Sequence, residues 1–283
     1  MARFGMVINV DTCIGCYNCV LACKDEHVGN EWPSYSAAQP DTGHFWMKLV
    51  EKERVLPQTV KVTYTPVPCM QCEDAPCVRA ATGGAARTRE DGIVVFDPLK
   101  AKSQRQIVDS CPYGVVYWNE KAASPGDGGL PQKCTFCAHL LDRGYPQPRC
   151  AEACPVNAIT FGDMDDLGSE VSRLIRSGVT ETMFPELGLD TAVRYIGLPR
   201  PMIGGSVILE DTGECGADVG VTVSDGSGKI ITAKTNIYGD FLVERLEAGR
   251  TYKVELARQG YSLKTMSVAL AGDASLGDIL LRR

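Results

Sequence analysis

Little in this sequence invites nucleic acid, lipid or a covalent reaction. The 283 residues carry a net charge of −6, so there is no positive field to attract phosphate backbones, and no basic run reads as a membrane-surface patch. No window approaches the roughly 20 consecutive apolar residues of a membrane helix, so no membrane span of its own is expected. Histidine is scarce, at three residues, and no nucleophile–base pair, glycine-rich phosphate loop or paired-carboxylate motif stands out. Those absences leave no catalytic residue to nominate and no independent organic chemistry on the chain. Only twelve residues precede Cys13, without an apolar core or a small-residue cleavage site. No signal peptide is therefore expected, and the location is expected to be cytoplasmic.

Cysteine is the reverse of scarce. Thirteen in one chain is far more than an ordinary domain uses, and the odd number argues against a complete disulfide framework. Dense cysteines without an export signal are more often metal ligands than disulfides. Four groups can be read: Cys13-x2-Cys16-x2-Cys19-x3-Cys23; Cys69-x2-Cys72-x4-Cys77; a solitary Cys111 within Ser110-Cys111-Pro112-Tyr113-Gly114; and Cys134-x2-Cys137-x12-Cys150-x3-Cys154-Pro155. Close spacing lets successive loop residues wrap one cubane, while a later Cys-Pro brings a fourth thiolate from elsewhere. Structural zinc is the plainer alternative, but four cysteines within eleven residues are poorly spaced for it and well spaced for a cubane.

In two-cluster ferredoxins the fourth cysteine of each run ligates the other cluster. By that rule Cys13, Cys16 and Cys19 take Cys154; Cys134, Cys137 and Cys150 take Cys23; and Cys69, Cys72 and Cys77 take Cys111. Three [4Fe–4S] clusters would use twelve thiols and leave Cys215, in Thr-Gly-Glu-Cys-Gly, as a structural thiol. A complete four-run protein would carry four more cysteines, where Ala81, Ala101, Gln104 and Ile107 stand. By the same rule those four positions are the ligand set of one further cluster, so one site is lost whole and three are kept complete. The histidines His27, His44 and His139 have no ligand role left to fill. His139, two residues after Cys137, is placed to hydrogen-bond a cluster sulfur. Tyr17, Tyr113, Trp118 and Phe136 are read as packing that excludes water.

The clustered cysteines all precede residue 155. In that part short strands are expected at Met6–Val10, Ile93–Phe96, Val115–Trp118 and Ala158–Phe161, with the cysteines in turns and short helices between them. Met47–Leu56 and Thr59–Thr65 read as a hairpin inserted into this body. Asp165–Ser177 has helix spacing at Leu167, Val171, Leu174 and Ile175. Pro185, Gly188, Gly197, Pro199 and Pro201 read as a linker. From Gly204 onward short alternating strands are separated by turn signals such as Asp225-Gly226, as in a small antiparallel sandwich. The expected division is therefore residues 1–200 and 201–283, and the fold class α+β.

Four cysteine runs in two ferredoxin-like pairs, with an inserted hairpin, resemble the iron–sulfur subunits of the dimethyl sulfoxide reductase family of molybdopterin enzymes. The resemblance extends to Ser169-Glu-Val-Ser-Arg-Leu-Ile175 and to Arg194-Tyr-Ile-Gly-Leu-Pro199. It implies two ferredoxin-like cluster-binding halves and an electron-transfer role. It also implies a large partner subunit whose molybdenum or tungsten bis-pterin performs the substrate chemistry. A missing cluster combined with a carboxy-terminal β-sandwich is similar to the small subunits of hydroxytransferases that act on trihydroxybenzenes. The sandwich itself is similar to transthyretin-like and carboxypeptidase-regulatory domains, from motifs such as Thr235-x2-Tyr238-Gly239-Asp240-Phe241. Two other readings stay open. One is an oxidoreductase subunit passing electrons to a quinone or soluble carrier. The other is a scaffold in which metal–ligand bonds only staple the fold.

Overall fold

The computed structural model describes residues 2–57, 59–121 and 128–283. The chain forms two units, Met1–Glu51 with Tyr64–Leu198, and Lys52–Thr63 with Pro199–Arg283.

The first unit is mixed α and β. Strand β1 (Phe4–Asn9) is apolar on both faces, with Met6, Val7 and Ile8 buried, as befits the middle strand of a covered sheet. Along the chain follow α1 (Asn18–His27), the paired strands β2 (Lys48–Leu56) and β3 (Thr59–Val67), and α2 (Pro76–Ala80). Next come the two-stranded ladder β4 (Ala86–Thr88) and β5 (Val94–Phe96), then α3 (Gln106–Asp109). A second ladder pairs β6 (Tyr117–Asn119) with β7 (Leu130–Gln132), and α4 (Ala138–Leu141), α5 (Arg149–Glu152), β8 (Ile159–Asp163), α6 (Glu170–Arg176) and β9 (Val193–Ile196) complete the unit. Helices α2 to α5 are single turns, far too short to be stable alone, so their shape depends on what they pack around.

In this unit the structure corrects three expectations. The stretch read as a linker contains β9, which pairs parallel with β1, Met6 opposite Val193, while β8 pairs antiparallel on the other side. Val193 and Tyr195 are fully buried by that pairing, which no local pattern among prolines and glycines reveals. Helix α6 begins at Glu170, after turn residues, and Leu167 stays exposed. The strand expected at Val115–Trp118 is displaced to Tyr117–Asn119, and Val115 and Val116 are buried outside it.

The second unit consists of two sheets. Its further strands are β10 (Ile203–Leu209), β11 (Gly220–Asp225), β12 (Ile230–Lys234), β13 (Asp240–Val243), β14 (Arg250–Ala257), β15 (Lys264–Leu270) and β16 (Ala274–Leu281). They are ordered β13-β10-β16 and β12-β11-β14-β15. In β14, Tyr252, Val254 and Leu256 turn inward while Arg250, Thr251 and Lys253 face water, the period-two pattern of a half-buried strand. They join Ile203, Val207, Val221, Val223, Phe241 and Ile279 in one apolar core. The unit is not purely antiparallel: β16 runs parallel to β10, with Val207 opposite Ile279.

The outer half of the β2–β3 pair belongs to this second unit. Arg54 is buried, donates to the Arg200 carbonyl at 2.6 Å and pairs with Asp273 at 3.5 Å. Lys61 is ion-paired with Glu244, and Leu56 is buried against Gly204, where an added Cβ would stand 2.9 Å from its Cδ1. Among the described residues no helix is long and apolar enough to cross a membrane.

Candidate iron–sulfur sites

All thirteen cysteines are free thiols. Cys19 and Cys23 lie four residues apart on one face of α1 and are buried, while Cys13 and Cys16 stand on the loop before it. Cys13, Cys16, Cys19 and Cys154 line one cavity together with Ile14, Tyr17, Pro66 and Ile159. Cys69, Cys72, Cys77 and Cys111 line a second, walled by Met70, Val94, Tyr113 and Val116. Cys23, Cys134, Cys137 and Cys150 form a third group, each of them buried.

Electrostatics draws the same groups. Burial pushes the Cys19 thiol up to about 12, with neighbouring Cys13, Cys154 and Cys16 adding to it. Burial likewise takes Cys72 up to about 12, helped by Cys69, Cys77 and Cys111. In the third group burial raises Cys23, and Cys134 and Cys137 add to it; Cys150 rises from burial and then from Cys137, Cys134 and Cys23. Thiolates crowded like this repel one another, so a cationic centre is what would hold four of them deprotonated together. The third group neighbours both of the others: Cys150 feels the charge of Cys19, with Cys19 and Cys23 on one helix, and Cys134 feels that of Cys69.

The loops are shaped for this. In the first Cys-x2-Cys of each run the second intervening residue is left-handed, Gly15 at φ 68°, Gln71 at 47° and Phe136 at 52°, whereas between Cys16 and Cys19 it is the first, Tyr17 at 62°. Gln71 and Phe136 bear the backbone cost of that conformation as non-glycine residues. After Cys111 and Cys154 the third residue is left-handed too, Gly114 at 62° and Asn157 at 51°. Backbone N–H groups point at sulfur, Phe136 N to Cys134 Sγ at 3.4 Å and Ala158 N to Cys154 Sγ at 3.2 Å. Such donors stabilise thiolate ligands. Four thiols to a group, with backbone N–H donors at sulfur, are a donor set that fits a [4Fe–4S] cluster.

Similar turns lie beside Ala81, Ala101 and Gln104, where cysteine is absent. Ser103, the second residue between Ala101 and Gln104, is left-handed at φ 62°, and Gly84, three after Ala81, at 72°. Ala101 and Ile107 are fully buried. The Gln104 carboxamide oxygen accepts from Thr82 N at 2.9 Å, and its nitrogen donates to Lys100 O at 2.8 Å and Thr82 O at 3.2 Å. A side chain thus satisfies the polar groups around this position.

His139 does not face a sulfur. Its Nε2 lies 2.8 Å from Glu26 Oε1 and its ring stacks on Trp32. His27 is the histidine beside a thiol, with Nε2 3.8 Å from Cys137 Sγ, and burial, with a smaller effect of His139, pushes its pKa down to about 3. The signal for it was present in sequence: His27 follows Cys23 by four residues on α1, and so shares its face. Phe136 is buried against Phe161, whereas Tyr17 is exposed. Cys215 is exposed and lies in the second unit, which holds no other cysteine.

Residues 60–164 match the family model described as a 4Fe-4S dicluster domain. The chain is 37% identical over 287 residues to the pyrogallol hydroxytransferase small subunit of Pelobacter acidigallici, covering 99% of this chain and 100% of that protein. It is 32% identical to the arsenate respiratory reductase iron-sulfur subunit of Shewanella sp. (strain ANA-3), over 69% of this chain and 96% of the relative. It is also 32% identical to a sulfite dehydrogenase subunit of Allochromatium vinosum, over 71% and 84%. The chain belongs to the iron–sulfur subunits of the dimethyl sulfoxide reductase family. Subunits of this family carry electrons through iron–sulfur clusters, and that is the role of this chain.

Proposed function

We propose that this chain holds three [4Fe–4S] clusters and serves a large subunit carrying a molybdenum or tungsten bis-pterin, in a complex that transfers hydroxyl groups among trihydroxybenzenes. Cys13, Cys16, Cys19 and Cys154 would hold one cluster; Cys23, Cys134, Cys137 and Cys150 the second; Cys69, Cys72, Cys77 and Cys111 the third. The observation that carries this is the gathering of twelve thiols into three groups of four. The clusters supply one-electron storage when bound. The protein's part is to provide thiolates, aim N–H donors at sulfur and exclude water. On this reading residues 1–200 form two ferredoxin-like halves, and the two sheets of residues 201–283 form a transthyretin-like β-sandwich for docking.

Two features favour hydroxyl transfer over delivery of electrons to a quinone or soluble carrier. The similarity to the Pelobacter subunit runs through the two-sheet unit, since it spans 99% of the chain. Gln104 stands at one of the four positions where a further cluster would need cysteine, and its carboxamide bonds Thr82 and Lys100 instead. Transfer of a hydroxyl between two trihydroxybenzenes needs no net electron flow, so a chain that has given up one cluster suits it. The test is to isolate the chain with its partner and measure metals and turnover. About twelve iron and twelve sulfide per chain, molybdenum or tungsten in the partner, and conversion without an electron acceptor are expected. Turnover that requires an acceptor would favour the oxidoreductase, and stoichiometric zinc with little iron would overturn the cluster reading.

A further inference from the structure

Lys133 carries the one lysine ammonium that is almost fully buried among the described residues, at 2% exposure. Its Nζ donates to two carbonyls, Val94 O and, at 3.0 Å, Cys134 O, and lies 5.1 Å over the Phe96 ring. No carboxylate among the described residues pairs with it. Burying a charge without a counter-ion is costly, far beyond what two carbonyl dipoles and one ring return. The missing negative charge has to lie nearby.

The two carbonyls say where. Val94 is part of the wall around Cys69, Cys72, Cys77 and Cys111. Cys134 belongs to the neighbouring group with Cys23, Cys137 and Cys150, and its sulfur feels both Cys69 and Lys133. Cys72 and Cys77 feel the same ammonium. Lys133 therefore stands between two four-thiol groups, each carrying net negative charge with its cluster in place. Resting on the three-cluster reading above, we infer that Lys133 is a fixed positive charge shared by the second and third clusters, raising both reduction potentials while leaving the first untouched. Adding an electron to either cluster increases the negative charge facing the ammonium, so the ammonium favours the reduced state. In a low-dielectric interior this attraction is not screened as it is at the surface. No proton moves in this account.

The experiment is a redox titration of the intact complex, following each cluster by its paramagnetic signal. Cys111→Ser, which removes one ligand from the group of Cys69, Cys72 and Cys77, identifies that group's signal. Lys133→Gln keeps a donor toward the carbonyls and removes the charge; Lys133→Arg keeps the charge. In Lys133→Gln two of the three potentials should fall. The expected size is about a tenfold lower ratio of reduced to oxidised cluster at fixed potential, or about 59 mV for a one-electron couple. Lys133→Arg should hold both near the unaltered values. A Gln variant with full iron and unmoved potentials would overturn the inference, as would an Arg variant that shifts as far as Gln, or an equal shift of all three. Loss of iron in Gln but not in Arg, with potentials kept in Arg, would support the charge role. Fewer than three cluster signals in the unaltered protein would instead bring down the three-cluster reading, and the inference with it.

Discussion

The two units bury their side chains for different reasons. In the two-sheet unit the interior is aliphatic and aromatic, drawn from every second residue of each strand, with few polar groups inside. In the cysteine-rich unit the interior also holds thiols, His27, His139, Gln71, Gln132 and Lys133. Its cysteine loops pass through left-handed residues, and its helices α2 to α5 are single turns. The first kind of interior is stabilised by removal of apolar surface from water. The second makes sense around an occupant that binds thiolates and balances charge. One fold is organised by a period, the other by ligand spacing.

The comparison breaks most sharply if iron is removed. Chelation of iron should unfold the cysteine-rich unit, because its ligand bonds are folding energy, while the two-sheet unit stays folded. Hydrogen exchange should then show protection lost at Met6–Ile8 and kept at Val254 and Leu256. Simultaneous loss in both units would mean that they do not fold separately. A single thiol is the next test. Cys111→Ser should lower iron from about twelve to about eight per chain, with the other two clusters retained. Loss of all iron would show that the sites do not assemble independently.

In the two-sheet unit the matching change is apolar. Phe241→Ala should cost about 3–5 kcal/mol of that unit's stability by creating a cavity, with iron unchanged. Thermal unfolding and an iron assay on the same sample decide it. A smaller gain is expected where the two organising rules meet. Ala81→Cys, Ala101→Cys, Gln104→Cys and Ile107→Cys together should raise reconstituted iron above about twelve toward sixteen per chain, with partial occupancy. Iron that stays at the starting value would mean that the retained backbone turns do not make a site. The smallest effect belongs to Cys215→Ser. This exposed thiol lies in the unit without other cysteines, and iron content should not change.

Features that depend on neighbours along the chain were legible before any fold was known. The spacing of Cys13 to Cys23 on a loop and one helix, the alternation at Tyr252, Val254 and Leu256, and the turn signals between strands are local. The proposal that Ala81, Ala101, Gln104 and Ile107 mark a lost site rests on the same spacings and needs no knowledge of contacts. Whatever joins distant residues needed the packed molecule. Val193–Ile196 lies among prolines and glycines and became a buried strand because β1, near the other end of the unit, offered it a parallel partner. Likewise β16 joined β10 in parallel, and the outer half of β2–β3 joined the second unit through Arg54 and Leu56. The same holds for charge. A lysine next to Cys134 reads as an ordinary solvent-facing residue until the fold removes it from water. Burial is a property of the whole packed chain, whereas ligand spacing is written in a dozen residues.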